Sequence, residues 1–183
     1  MLEKIKEIDR AIGCGYYYGA LALTLTLPDI CGKVYCPELN GKNEKGERYR
    51  KWFDDFVAQV YMREPNWEFP NGSNIAFNGC ACYLLRCAYL HSGNYDLKAQ
   101  NKKIQIKEFR LSYSKPVFKY HVYDVEQTDT GDFILNVDVS GLCKVICMAA
   151  TDFYNATPNK SLFKDSLIAY VEEGAENGSE KTD

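Results

Sequence analysis

Residues 118–137 read FKYHVYDVEQTDTGDFILNV, and this stretch decides the predicted fold class. Large apolar side chains occupy alternate positions on both sides of a short polar segment, at Phe118, Tyr120 and Val122 and again at Phe133, Leu135 and Val137. This period of two predicts β-strands, and the Thr128–Gly131 segment between them predicts a hairpin turn. Shorter alternations at 104–106 and 111–113 extend the pattern, so we predict a small antiparallel sheet.

The sequence before the sheet has helical periodicity, and we predict three main helices there, at about 2–27, 47–61 and 74–91. The first follows from isoleucines that begin at Ile5 and recur at helical spacing. Pro28, with Asp29 behind it, is expected to open a further short helical segment. Ser73 or Asn74 is expected to cap the third helix.

The sequence after the sheet predicts two more helices, one from near Gly141 and one from Leu162 to about Glu173, the latter capped by Ser161. Residues 174–183 are polar and are predicted to be a disordered tail. The predicted fold class is therefore α+β, with a helical N-terminal bundle of three main helices, a small antiparallel sheet and two C-terminal helices. All of these elements belong to one predicted domain, 1–173.

The N-terminal half contains an uncharged run, Ala11–Leu27, which resembles a signal or membrane segment in length. The preceding segment carries acids as well as bases, which is unusual for a signal peptide. We therefore interpret the run as a buried helix of a soluble, cytoplasmic protein, with a membrane segment as the alternative. Its three glycines are attributed to close helix packing, because no strand precedes them to form a phosphate-binding loop: Gly13, Gly15 and Gly19.

The chain has eight cysteines, and no Cys-x-x-Cys pair occurs among them. A reducing compartment makes a disulfide framework unexpected, and free cysteine behaves as a small buried hydrophobe. We therefore expect neither a metal nor a cofactor. The alternative is a zinc site built from two groups of thiolates, namely Cys80, Cys82 and Cys87 together with Cys143 and Cys147.

One short motif has a chemical interpretation, Arg86-Cys87-Ala88-Tyr89-Leu90-His91. Histidine exchanges protons near neutral pH, and arginine is a permanent forked cation that suits phosphate oxygens. Together they meet two requirements of metal-free RNA cleavage, namely acid–base catalysis and stabilisation of a charged phosphorane. Arg86 and His91 are therefore the candidate catalytic residues.

The spacing within this motif limits how the two side chains meet. Five residues of an ideal helix turn by about 500°, which leaves Arg86 and His91 roughly 140° apart. They converge only where the helix ends, as Ser92-Gly93 suggests, or across a dimer. In the structural alternative, Arg86 extends from a buried helix or pairs with a carboxylate, and His91 caps the end of the helix.

The stretch Tyr83–Gly93 resembles the HEPN family, whose signature is Arg, four residues and His on a helix of a small bundle. The similarity covers about eleven residues closely. It implies a metal-independent endoribonuclease that works as a homodimer, often in toxin–antitoxin or phage-defence systems. It assigns the catalytic roles to Arg86 and His91.

A basic strip follows the motif, although the net charge of the whole chain is -3. We predict that it holds RNA phosphates through five of its cations, namely Lys98, Lys102, Lys103, Lys107 and Arg110. The alternative is that these side chains only prevent an exposed strand edge from pairing with a strand of another chain.

The second hypothesis for function is a non-catalytic interaction protein, such as an antitoxin, an inhibitor or a regulatory subunit. In that case the tyrosine-rich surface and the edge of the sheet would contact a protein partner. Whether Arg86 and His91 reach one open cleft distinguishes this hypothesis from the enzyme.

Overall fold

The computed structural model of this chain describes residues 1–39, 41, 44–62, 77–90, 106–113 and 122–164. The helices are α1 (Leu2–Gly13), α2 (Tyr17–Thr24), α3 (Leu27–Tyr35), α4 (Lys45–Phe53, continuing as a π-helical stretch Asp54–Ala58 and ending with Gln59–Tyr61), α5 (Gly79–Leu90) and α6 (Val139–Ala156). The strands are β1 (Ile106–Ser112), β2 (Tyr123–Gln127) and β3 (Phe133–Asp138), and a 3-10 turn, Lys160–Phe163, follows α6. The predicted α+β class is confirmed.

The three strands form one sheet in the order β1-β3-β2. β2 and β3 are antiparallel and are joined through Gly131, whose φ of 83° suits glycine, so the predicted hairpin is confirmed. β1 pairs in parallel with β3, so the sheet is mixed and not antiparallel throughout. The period of two indicates which side chains are buried, but it carries no information about strand direction.

The predicted single helix over 2–27 is wrong, because the chain forms α1, α2 and the start of α3 there. Gly15, with a φ of 79°, lies in the connection between α1 and α2. A Cβ added at any of the three glycines of this run would meet no atom within 4 Å, so the close-packing interpretation is also wrong. Pro28 begins α3 as predicted, with Asp29 in its first turn.

The core lies between the helices, and its largest fully buried side chains include Trp52, Tyr49 and Phe53 of α4. α6 packs against α1, α2 and α3 and closes this core. Within the described ranges, no helix has both the length and the apolar character that a bilayer crossing requires.

The helices that precede and follow the sheet in the sequence each begin with a side-chain cap. The Asn78 side chain accepts a hydrogen bond from the N–H of Ala81 at 3.1 Å, at the start of α5. The Asp138 side chain accepts one from the N–H of Ser140 at 3.1 Å, at the start of α6. The caps predicted for the third helix, Ser73 and Asn74, lie outside the described residues.

The C-terminal predictions are only partly covered by the described residues. The helix predicted from near Gly141 is confirmed as α6. The turn after it is capped by Asn159, whose side chain accepts from Ser161 N–H at 3.0 Å, so the predicted Ser161 cap is displaced by two residues. The rest of the predicted last helix and the 174–183 tail lie beyond the last described residue.

Close approach of α4 to its neighbours depends on glycine. A Cβ on Gly79 would lie 2.3 Å from the backbone oxygen of Arg50, and one on Gly32 would lie 2.7 Å from that of Arg48. The backbone N–H of Gly79 also donates to the Asp54 side chain at 2.6 Å. The start of α5 is therefore held directly against the backbone of α4.

We predict that Gly79→Ala destabilises the protein, because its new methyl group would overlap with backbone that cannot rotate away. Overpacking of this kind typically costs about 1–3 kcal/mol. Gly13→Ala is the matched control, since a Cβ there meets nothing within 4 Å. It should cause no loss and can gain up to about 1 kcal/mol from helix propensity. Thermal melts of the three proteins measure the difference, and equal stability of the two variants would contradict the predicted overlap.

Candidate functional site

Arg86 lies in the C-terminal half of α5, on a face that stays partly open to solvent. Tyr83, Arg86 and Tyr89 are three residues apart and are all half-buried, whereas Leu84, Leu85 and Cys87 are buried. Residues at this spacing line up along one side of a helix. We call Tyr83, Arg86 and Tyr89 the α5 stripe.

Arg86 forms an ion pair with Asp29 of α3. Its Nε donates to the Asp29 Oδ2 atom at 2.8 Å, and the two side chains keep 20% and 27% of their exposure. An arginine that pairs with a carboxylate is the structural alternative considered above. The pair also fixes the direction of the guanidinium group, so it does not by itself exclude a role for Arg86 in binding a phosphate.

Charged groups of α4 act on this pair as well. Burial raises the pKa of Asp29, and this outweighs the opposite influence of Arg86, Arg48 and Lys45. Burial opposes the charge of Arg86 as well, but its pKa is raised because the Asp29 carboxylate outweighs that effect. Three cations therefore act on the Asp29 carboxylate. A second carboxylate, that of Asp54, interacts with Arg50 nearby.

Two aromatic rings lie beside the guanidinium group of Arg86. The Arg86 Cζ atom lies 5.9 Å from the centre of the Tyr49 ring and 5.8 Å from that of Tyr83. A second guanidinium, that of Arg50, lies 5.4 Å from the Tyr83 ring centre. Cation–π contacts of this kind stabilise a cation whose hydration is reduced. Two arginines from different helices thus share one tyrosine ring.

The cysteines are mainly buried, and only Cys14 is exposed while Cys80 is partly so. Burial raises the pKa of Cys82, Cys143 and Cys147 to about 12 in each case, which opposes formation of the thiolates that zinc requires. In the part of the chain that the structure describes, no group of three or more His, Cys, Asp or Glu side chains is arranged to hold a metal.

The predicted site residues are only partly within the described ranges. His91, Lys98, Lys102 and Lys103 lie outside them, so their placement relative to Arg86 stays a prediction. Lys107 is exposed on β1. Arg110, also exposed on β1, pairs with Glu108 at 3.2 Å and with Glu126 at 3.0 Å. Two carboxylates therefore already compete with any RNA phosphate for the Arg110 guanidinium.

Sequence reasoning missed the partners of Arg86. Asp29 is 57 positions away, and it was noted only as a first-turn residue of a helix. Tyr83 and Arg50 also went unassigned. The available signal was the three-residue spacing of Tyr83, Arg86 and Tyr89, which places a cation between two aromatic residues on one helix face.

Comparison with protein-family models, curated proteins and solved structures finds no match to this chain. Functional inference therefore depends on the residues themselves.

We predict that the cost of Arg86→Ala depends on pH. The substitution removes the cation that lowers the pKa of Asp29 most, so this carboxyl binds its proton more tightly in the folded state. Such a group stabilises the fold below its unfolded pKa, near 4, and this contribution is lost as pH rises through the folded pKa. The deficit in unfolding free energy should grow from about pH 4 to about pH 7, reaching about 1–2 kcal/mol. Partial exposure keeps it below the cost of a fully buried pair.

The double variant Arg86→Ala/Asp29→Asn is the control, because it has no carboxyl to titrate. Its deficit relative to Asp29→Asn alone should change little across the same pH range, because neither protein then has the carboxyl whose pKa is raised on folding. A deficit of Arg86→Ala that is constant with pH would mean that only packing of the arginine stem was lost.

We also predict that brief alkylation of the native protein modifies Cys14 first, because it is the exposed thiol. Mass spectrometry of the native and the denatured protein separates exposed from buried cysteines. Elemental analysis should find no stoichiometric zinc. About one zinc per chain, lost in Cys82→Ser, would contradict the interpretation of the cysteines as buried hydrophobes.

Proposed function

We propose that this chain is a cytoplasmic, metal-independent endoribonuclease that works as a homodimer, with Arg86 and His91 as its catalytic residues. A toxin–antitoxin or phage-defence system is the setting that the HEPN resemblance suggests. The observation that carries the proposal is the oriented, partly exposed guanidinium of Arg86, which lies five residues before a histidine.

The chemistry assigns one task to each residue. The 2′-hydroxyl of a nucleotide loses its proton and attacks the adjacent phosphorus, while the 5′-oxygen takes up a proton and leaves. His91 transfers a proton in this exchange, and Arg86 stabilises the extra negative charge on the phosphorane. The products are a 2′,3′-cyclic phosphate and a 5′-hydroxyl, and the reaction consumes no metal or cofactor.

Asp29 supports this assignment as a positioning residue. A guanidinium whose direction is fixed before the substrate binds loses less freedom in the transition state. The carboxylate also reduces the local positive charge, but Arg48 and Lys45 act on the same Asp29 and offset this reduction. Cations other than Arg86 therefore lie near the pair, as binding of an RNA phosphate requires.

A non-catalytic interaction protein is the second candidate, and exposed tyrosines favour it. Tyr16 and Tyr18 keep 71% and 69% of their exposure, and large aromatic side chains are common at the centres of protein interfaces. In this candidate the Arg86–Asp29 pair only ties α5 to α3.

We predict that the wild-type protein cleaves single-stranded RNA in excess chelator and leaves cyclic phosphate ends. His91→Ala should lower the cleavage rate about 10²–10⁴-fold. Arg86→Ala should lower the cleavage rate about 10²–10³-fold. Gel analysis of end-labelled RNA measures the rates, at a temperature where melting curves show each variant to be folded.

His121→Ala is the matched control, because the chain has only two histidines. It should keep the wild-type rate. Well-folded wild type without cleavage would contradict the ribonuclease and favour the interaction protein. Loss of activity in His121→Ala but not in His91→Ala would contradict the assignment of the catalytic histidine.

A further inference from the structure

Four tyrosines form a partly exposed group, which we call the tyrosine cluster: Tyr17 and Tyr18 of α2, Tyr89 of α5 and Tyr113 after β1. The centre of the Tyr113 ring lies 5.5 Å from that of Tyr17 and 5.3 Å from that of Tyr18. The Tyr89 hydroxyl donates to the Tyr18 carbonyl oxygen at 3.2 Å. Direct contacts thus order the cluster, although the Tyr18 side chain is largely open to solvent.

The cluster is continuous with the Arg86 site, because Tyr89 belongs to both the cluster and the α5 stripe. Along the helix, the stripe extends about 9 Å from Tyr83 to Tyr89. Arg50 contacts the other end of the stripe, at the Tyr83 ring. The surface therefore alternates guanidinium groups with aromatic rings, from Arg50 through Arg86 to Tyr18.

The charges of this surface favour a polyanion. α2 has no charged residue, and the only one in α5 is Arg86. Two carboxylates lie near the cations of this surface: Asp29 pairs with Arg86, and Asp54 interacts with Arg50. Arg48 and Lys45 act on Asp29 as well, so four cations face two carboxylates. Burial and a hydrogen bond with Tyr18 raise the pKa of Tyr113 to about 12, so its ring carries no charge at neutral pH.

We propose that the α5 stripe and the tyrosine cluster form one binding track for single-stranded RNA. Arg50 and Arg86 contact phosphates, and the exposed ring of Tyr18 stacks on a base. Cationic groups that follow the backbone, combined with aromatic rings that stack on bases, are the usual means of binding a single strand. Unpaired bases expose the faces that such rings need, whereas duplex RNA hides them. The inference rests on the proposed ribonuclease, whose catalytic arginine lies within the track.

The test separates binding from cleavage. The probe is a fluorescein-labelled oligonucleotide of about ten residues, within the usual range of single-strand sites, with every 2′-hydroxyl methylated so that no attack on phosphorus occurs. Fluorescence anisotropy with the full chain should show that Tyr18→Ala weakens binding roughly 5- to 150-fold, the range that loss of one stacked base gives. Tyr18→Phe should bind within about threefold of wild type, because the ring remains.

Two further variants guard against a change of fold. Tyr18→Leu keeps apolar bulk against Tyr113 and should lose affinity as Tyr18→Ala does. Tyr154→Ala is the matched control, since Tyr154 contacts Lys160 and Phe163 and not the cluster, and it should bind like wild type.

Arg50→Gln tests the proposed phosphate contact of Arg50. It should lower the slope of log Kd against log salt by about 0.7, the value for one phosphate contact.

Each outcome decides a separate point. Wild-type affinity in both Tyr18→Ala and Tyr18→Leu overturns the track, as does a duplex of the same sequence that binds as tightly as the single strand. No binding by the wild type also overturns it and leaves the tyrosines to a protein partner. If binding depends on Tyr18 but unmodified RNA is not cleaved, the track is supported and the proposed ribonuclease is contradicted. If RNA is cleaved but neither binding nor cleavage changes in the Tyr18 variants, the ribonuclease is supported and the track is contradicted.

Discussion

The close approach of α4 to α3 and α5 is the constraint on which the rest of the helical half depends. Gly79 and Gly32 lie so near the α4 backbone that neither position has room for a Cβ. A Cβ on Gly46 of α4 would likewise lie 2.9 Å from the Tyr83 ring. Because the helices meet at this distance, Tyr83 lies over α4 and Arg86 lies beside Tyr49. A wider spacing would separate the arginine from the rings that now contact it.

The Arg86–Asp29 pair ties α3 to α5, and the proposed function gives it a second role, which is to orient Arg86. Removal of Arg86, which leaves the Asp29 carboxylate without its partner, is expected to cost about 1–2 kcal/mol, a modest part of the 5–15 kcal/mol that stabilises a typical domain. As the orienting contact of a catalytic arginine, the pair would support a rate effect of about 10²–10³. The same geometry therefore satisfies both interpretations, and an effect on stability does not exclude one on catalysis.

Local patterns predicted the features that depend on neighbouring residues. The hairpin between β2 and β3, the helix over 47–61 and the start of α3 at Pro28 each have a signal within a few positions. The parallel partner of β1 and the ion-pair partner of Arg86 do not, because strand direction and long-range pairing leave no period in the sequence. The motif thus predicted Arg86 and His91 as a catalytic pair, which stays a prediction, but it gave no sign of Asp29, the ion-pair partner of Arg86.

The failure of the prediction over 2–27 bears on function as well as on fold. An uncharged run was interpreted as one buried helix, yet the chain breaks around Gly15 and turns Tyr16 and Tyr18 toward solvent. Breaking a helix leaves backbone groups without helical partners. Exposing two aromatic rings loses the favourable free energy that their burial would contribute. Sequences depart from local consistency most often where function requires it. Because the Tyr18 carbonyl oxygen accepts a hydrogen bond from Tyr89 of the α5 stripe, the break brings an aromatic surface to the side of the helix that carries Arg86.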